Sequence, residues 1–142
     1  MRSDRAFNQS YPAVASSVPR AREALAMFAH ATGATAEQVE AVRLAVSEAL
    51  TNAVMHAYGA GSGAVHVSAS RAGDELWVLI ADDGRGVAAG HESPGLGMGL
   101  HLIACMADYF AIDKRGEGGT EIRMRFGSSA RQSLGDVRLV AA

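Results

Sequence analysis

The chain has 142 residues, one cysteine, and a formal net charge of −2. That length predicts a single domain able to bury a substantial core. The charge offers no basic excess for nucleic acid or anionic lipid, and Cys105 alone excludes an internal disulfide framework or a cysteine-rich zinc site. No run of 18 apolar residues is present, so no membrane span is expected, and MRSDRAFNQSYP has no apolar core of a signal peptide, so a cytoplasmic protein is expected.

Phe7 to Tyr11 reads as a short strand and Pro12 to Ser17 as a loop. Pro19 suits the first turn of a helix that runs to about Ala31 and stops at Gly33. Thr35 and Gln38 have the spacing of a capping box, in which hydroxyl and amide satisfy each other's backbone N–H groups. A long helix follows, to about Tyr58. Val65 to Ser70 and Leu76 to Ala81 alternate as strands do, on either side of an Ala-Gly-Asp turn. A glycine-rich region covers 84–99, a short helix runs from Leu100 to about Ala107, and Tyr109 to Asp113 and Glu121 to Phe126 read as two more strands. Residues from Gly127 on read as a weakly ordered tail. Short turns imply antiparallel neighbours, with the helices covering one face of the sheet. Trp77 and the methionines read as core filling.

The long helix carries two stripes. At about 100° per residue, Val42, Val46, Ala49, Ala53 and Ala57 share a face, bordered by Leu50. Glu48, Asn52 and His56 form a second line at the edge of that face. A line of polar groups there suits a groove between helix and sheet. Taken alone, it also fits a boundary glutamate, a locally bonded asparagine and a satisfied histidine.

Two glycine clusters follow. The strand ending at Ala81 runs into Asp82-Asp-Gly-Arg-Gly86, which sets a carboxylate at the sheet edge and lets a flat ligand approach the backbone. The same residues fit an ordinary turn. Gly95-Leu-Gly-Met-Gly-Leu100 precedes a helix and offers free N–H groups to phosphate. It lacks the Gly-Lys-Ser/Thr of a P-loop and the spacing of a dinucleotide fingerprint. A third piece, Gly116-Glu-Gly-Gly-Thr120, opens the last strand.

In this order and on these elements, the motifs resemble those of the GHKL (histidine kinase-like) ATPase superfamily. Glu48, Asn52 and His56 match its N box. Asp82, Gly84 and Gly86 match its first glycine box, Gly95, Gly97 and Gly99 the second, and Gly118, Gly119 and Thr120 the last. The resemblance covers about 7–126 and is nearest to the anti-sigma factor serine/threonine kinases, whose members begin with a segment like Tyr11, Pro12, Val18, Pro19 and Arg20.

The resemblance implies a two-layer α/β sandwich: a mixed, mostly antiparallel sheet with helices on one face. It implies ATP and Mg²⁺ as ligands, Asn52 as a Mg²⁺ ligand, and Glu48 as general base toward a protein serine. Asp82 would accept a hydrogen bond from the adenine amino group, supported by Thr120. Gly97, Met98, Gly99 and Leu100 would give backbone N–H groups to the phosphates, and 87–94 would form a short lid. The partners implied are a sigma factor and a STAS-type anti-anti-sigma protein, with a homodimer expected. No Lys or Arg occurs from Gly86 to Asp113. That leaves His91, Arg85, Arg20 or a second subunit to supply a cation, and makes turnover a separate question from ATP binding. The alternatives are an ATP-binding regulatory module without turnover and a detached histidine kinase ATPase domain.

Overall fold

The computed structural model describes residues 6–56, 63–83, 102–114 and 118–127, with only the backbone of His56. Strand β1 (Ala6–Pro12) is followed by helices α1 (Ser17–Ala31) and α2 (Ala36–His56). Strands β2 (Ala64–Ala72) and β3 (Glu75–Asp82) come next. A helical stretch at 102–106 precedes β4 (Tyr109–Lys114) and β5 (Thr120–Phe126).

The five strands form one sheet in the order β1-β2-β3-β5-β4. Every pairing is antiparallel. The parallel pairing that a mixed sheet implies is therefore not found among the described strands. Each connection but one joins spatial neighbours: β1 reaches β2 through the two helices, and β2–β3 and β4–β5 are close enough in sequence that their strands can only pair antiparallel. The exception is the β3–β4 connection, which lets β5 pair between them.

Alternation sorts the side chains. Val65, Val67 and Ala69 of β2, Val78 and Ile80 of β3, and Ile122 and Met124 of β5 are buried under the helices. Their neighbours in sequence face the other side. Helix α2 lays Val42, Ala45, Val46, Ala49, Leu50 and Ala53 into the same core, and α1 adds Ala21, Leu25 and Ala29. The alanines let the two helices pack closely, and Phe28 of α1 meets Phe7 of β1 with ring centroids 5.8 Å apart. Arg43 of α2 also pairs with Glu23 of α1.

The boundaries follow from local chemistry. Gly33 ends α1 at φ +102°, a conformation costly for any side chain. The capping box forms: the Gln38 N–H donates to Thr35 Oγ1 and the Thr35 N–H to Gln38 Oε1, both at 3.0 Å. Gln38 is itself buried, and its Nε2 donates to the Phe126 carbonyl at 3.2 Å. One residue thus caps α2 and pins it to the end of β5.

Two expectations fail. Trp77 is not core: its parity places it on the open face of the sheet, where it packs against Tyr109 (5.8 Å between centroids) and Arg125. The methionines divide. Met124 is fully buried, but Met27 is 70% exposed and Met55 63%. Apolar character alone does not choose between two faces of a sheet or helix; parity and phase do.

Candidate functional site

The site begins with two residues side by side on neighbouring strands. Asp82 is the last residue of β3 and Thr120 the first of β5, and they are direct partners in the ladder. Asp82 shares the parity of Ile80, and Thr120 that of Ile122, so both side chains face the helix layer. They are 4% and 7% exposed. A carboxylate this deeply placed needs strong hydrogen-bond partners. Asp82 is engaged in the fold as well as buried.

Gly119 brings the two strands together. A Cβ there would overlap the Asp82 carbonyl oxygen and lie 2.9 Å from the Asp83 Cα, and φ is +100°. Only glycine fits both the contact and the conformation. In sequence Gly119 is one glycine of the piece that opens the last strand. The structure makes it the seat of the Asp82–Asp83 backbone.

Helix α2 is long enough to carry its polar line to the same end. Gln38 sits on Phe126, at the far end of β5 from Thr120. From Gln38 to Asn52 is 52 − 38 = 14 residues, about 21 Å along a helix. From Phe126 back to Thr120 is six residues, about 20 Å along a strand. The helix packs on β5, β3 and β2. Glu48 and Asn52 are half-buried, as an edge position requires.

Ala45, which the sequence reading left out of the core stripe, is fully buried. Its azimuth is within about 20° of Asn52's, so the buried face extends to the polar line. Asn52 Nδ2 is buried and has no hydrogen-bond partner among the described residues. Amide nitrogen and oxygen are assigned from their surroundings, and a flip would present Oδ1 in the same place. Such an unpaired amide fits a site that takes a ligand, since buried polar groups are otherwise nearly always paired.

Asp83 behaves differently from its neighbour. It is exposed and points to the open face, where His66 Nε2 lies 3.2 Å from its Oδ2. The two carboxylates of the Asp82-Asp83 pair therefore leave opposite sides of the sheet, which removes Asp83 from the helix-facing groove.

Arg20 is exposed on the first turn of α1. Its charge reaches Tyr11, whose hydroxyl is pushed up by burial and partly drawn back by Arg20. Among the described residues no group of three or more His, Cys, Asp or Glu is arranged to hold a metal ion, so a cation here would depend on the ligand's own oxygens. Gly84, Gly86, Gly95, Gly97, Met98, Gly99 and Leu100 lie outside the described residues. So do Ala57, Tyr58, Arg85, His91, the lid at 87–94, the side chain of His56 and the tail from 128.

With this geometry in hand, the comparisons decide the family. Residues 11–126 match the histidine kinase-like ATPase domain. The chain belongs to the histidine kinase-like ATPase family, in its anti-sigma factor branch. The anti-sigma F factor of Clostridium acetobutylicum is 31% identical, over 74% of this chain and 81% of that protein. The anti-sigma F factor of Bacillus licheniformis is 29% identical, over 83% of this chain and 89% of its own length. Among solved structures, the RsbU and RsbW domains of a Mycobacterium tuberculosis protein superimpose with a TM-score of 0.69 at 22% identity. That match covers 89% of this chain and 33% of the other, and it shows the fold. An ATPase fold of this family implies an ATP site.

Proposed function

We propose that this chain is a single-domain, ATP-binding anti-sigma factor with protein serine kinase activity. It holds a sigma factor out of use and phosphorylates a STAS-type anti-anti-sigma partner on serine. What supports the reading is the buried Asp82–Thr120 pair at one end of the sheet, together with a buried Asn52 amide on a helix pinned to the other end of β5. The anti-sigma F factors among its relatives supply the biological context.

The residues present fit ATP and Mg²⁺. Asp82 would hold the adenine amino group, and Thr120 beside it would support that carboxylate. Guanine carries an oxygen at this position, which would face a carboxylate with no proton between them. Asn52 would offer its amide oxygen to Mg²⁺ without adding negative charge beside a triphosphate. Bound ATP–Mg²⁺ would supply a phosphoryl group with its charge partly neutralised. Glu48 lies one turn before Asn52 and would accept the serine proton late, as a loose phosphoryl-transfer transition state permits. His56 would close the line at the groove end. The glycines at 84, 86, 95, 97 and 99, with Met98 and Leu100, would line the nucleotide with backbone N–H groups. We expect a homodimer.

The test is incubation of the protein with labelled ATP, Mg²⁺ and the cognate STAS protein. Serine phosphate on that protein is the expected result. Glu48→Gln should abolish it and leave ATP affinity within about two-fold, since the glutamine conserves shape and removes the proton acceptor. ATP binding with no serine phosphate would instead support a regulatory module without turnover, the reading favoured by the lack of Lys or Arg from Gly86 to Asp113. Acid-labile phosphate on a histidine-bearing acceptor would support a detached histidine kinase domain.

A further inference from the structure

The open face of the sheet carries a three-residue chain that reaches the base end of the proposed nucleotide site from behind. Ser10 of β1 and His66 of β2 are direct ladder partners. Ser10 Oγ lies 2.8 Å from His66 Nδ1, and His66 Nε2 lies 3.2 Å from Asp83 Oδ2. One tautomer satisfies both bonds: the Ser10 hydroxyl donates to Nδ1, and the Nε2–H donates to the Asp83 carboxylate. The hydroxyl thus fixes which nitrogen faces Asp83, and the ring cannot turn without losing a bond.

We infer that His66 is a positioning residue for the base-binding carboxylate Asp82, acting through Asp83. The inference rests on the proposal that Asp82 reads adenine. Its physical basis is the pleat. Asp82 and Asp83 are consecutive, one side chain facing the helices and the other the open face. Holding Asp83 outward holds the shared peptide, and with it the inward aim of Asp82. Gly119 packs on the same peptide from β5, through Asp82 carbonyl and Asp83 Cα. The Asp82–Asp83 link is therefore braced from both flanking strands, β5 by contact and β2 by the His66 bond. β2 already pairs with Asp82 at Val65, and the His66 bond adds a side-chain hold on Asp83, the residue that follows. Base selectivity depends on direction as well as on presence, because a carboxylate aimed a few tenths of an ångström away makes a weaker hydrogen bond to the amino group.

The experiment titrates ATP and GTP, each with Mg²⁺, against the wild type and against His66→Val, His66→Gln, Asp83→Ala and the His66→Val/Asp83→Ala double variant, with thermal unfolding of each. His66→Val should raise the ATP Kd about five-fold and leave GTP within about two-fold, so that the ATP:GTP preference falls about five-fold, the order expected from loosening one hydrogen bond. Glutamine, whose amide stands near the place of Nε2, should restore the preference. Asp83→Ala should lose as much as His66→Val, and the double variant no more than either, because both break one connection. An unchanged ATP:GTP ratio in folded His66→Val, or additive losses in the double variant, would overturn the inference while leaving the nucleotide site standing. A wild type that binds no ATP would overturn the underlying assignment itself. A purely structural role for His66 would lower the melting temperature and leave the ratio alone.

Discussion

Asp82 is a carboxylate at the end of a strand whose other inward-facing residues are aliphatic, and Thr120 stands directly across from it. Its replacement by asparagine changes an obligate acceptor into a group that can also donate. Asp82→Asn should therefore weaken ATP and narrow the preference over GTP by about ten-fold or more, read by competition titration. Asn52→Ala removes the unpaired amide and should abolish the Mg²⁺ dependence of nucleotide affinity. Gly119→Ala forces a Cβ onto Asp82 at a positive φ, and should cost roughly 1–3 kcal/mol of stability in denaturant unfolding. The polar line Glu48–Asn52 was legible in the sequence because it recurs at helical spacing beside an apolar stripe. The contact between Gly119 and the Asp82–Asp83 backbone was not, because it joins residues about 37 positions apart, and glycine in a hairpin has commoner explanations.

Among the elements, α2 carries the polar line of the proposed site. Its capping box was readable from Thr35 and Gln38 alone. That Gln38 also binds the Phe126 carbonyl was not, since a second hydrogen bond 88 residues away leaves no trace in local spacing. Gln38→Ala should lose both. A helix-cap cost of about 1 kcal/mol is expected, with a further loss because the Phe126 carbonyl no longer has this partner. The readout is chemical denaturation, with Thr35→Ala losing only the cap. The sheet shows the opposite balance. Strand extents were clear from alternation, but the placement of β5 between β3 and β4 and the wholly antiparallel pairing depend on a crossover that sequence order does not encode. The same limit misplaced Trp77. Its alternation was plain, and which face of the sheet the helices cover was needed to see that it lies opposite the core.

Across the whole molecule, two helices cover one face of the sheet. The helices are joined at the surface by Glu23, whose carboxyl is held below its ordinary 4.5, first by its hydrogen bond to Arg43 and then by Arg22. A lowered carboxylate contributes stability above its unfolded value, and that contribution is lost as pH falls through the folded one. Glu23→Gln should therefore lower the melting temperature near pH 7, with the gap to wild type closing as pH drops below 4.5. The effect will be small, because the pair is exposed. No helix among the described residues is long and apolar enough to cross a membrane.

The most direct test is a calorimetric titration of the purified protein with ATP and with GTP in the presence of Mg²⁺. If Asp82 reads adenine at the end of the groove that Asn52 and Glu48 line, one ATP binds per chain, and GTP binds about ten-fold or more weakly. Equal affinity for the two nucleotides, or no binding of ATP, would contradict it.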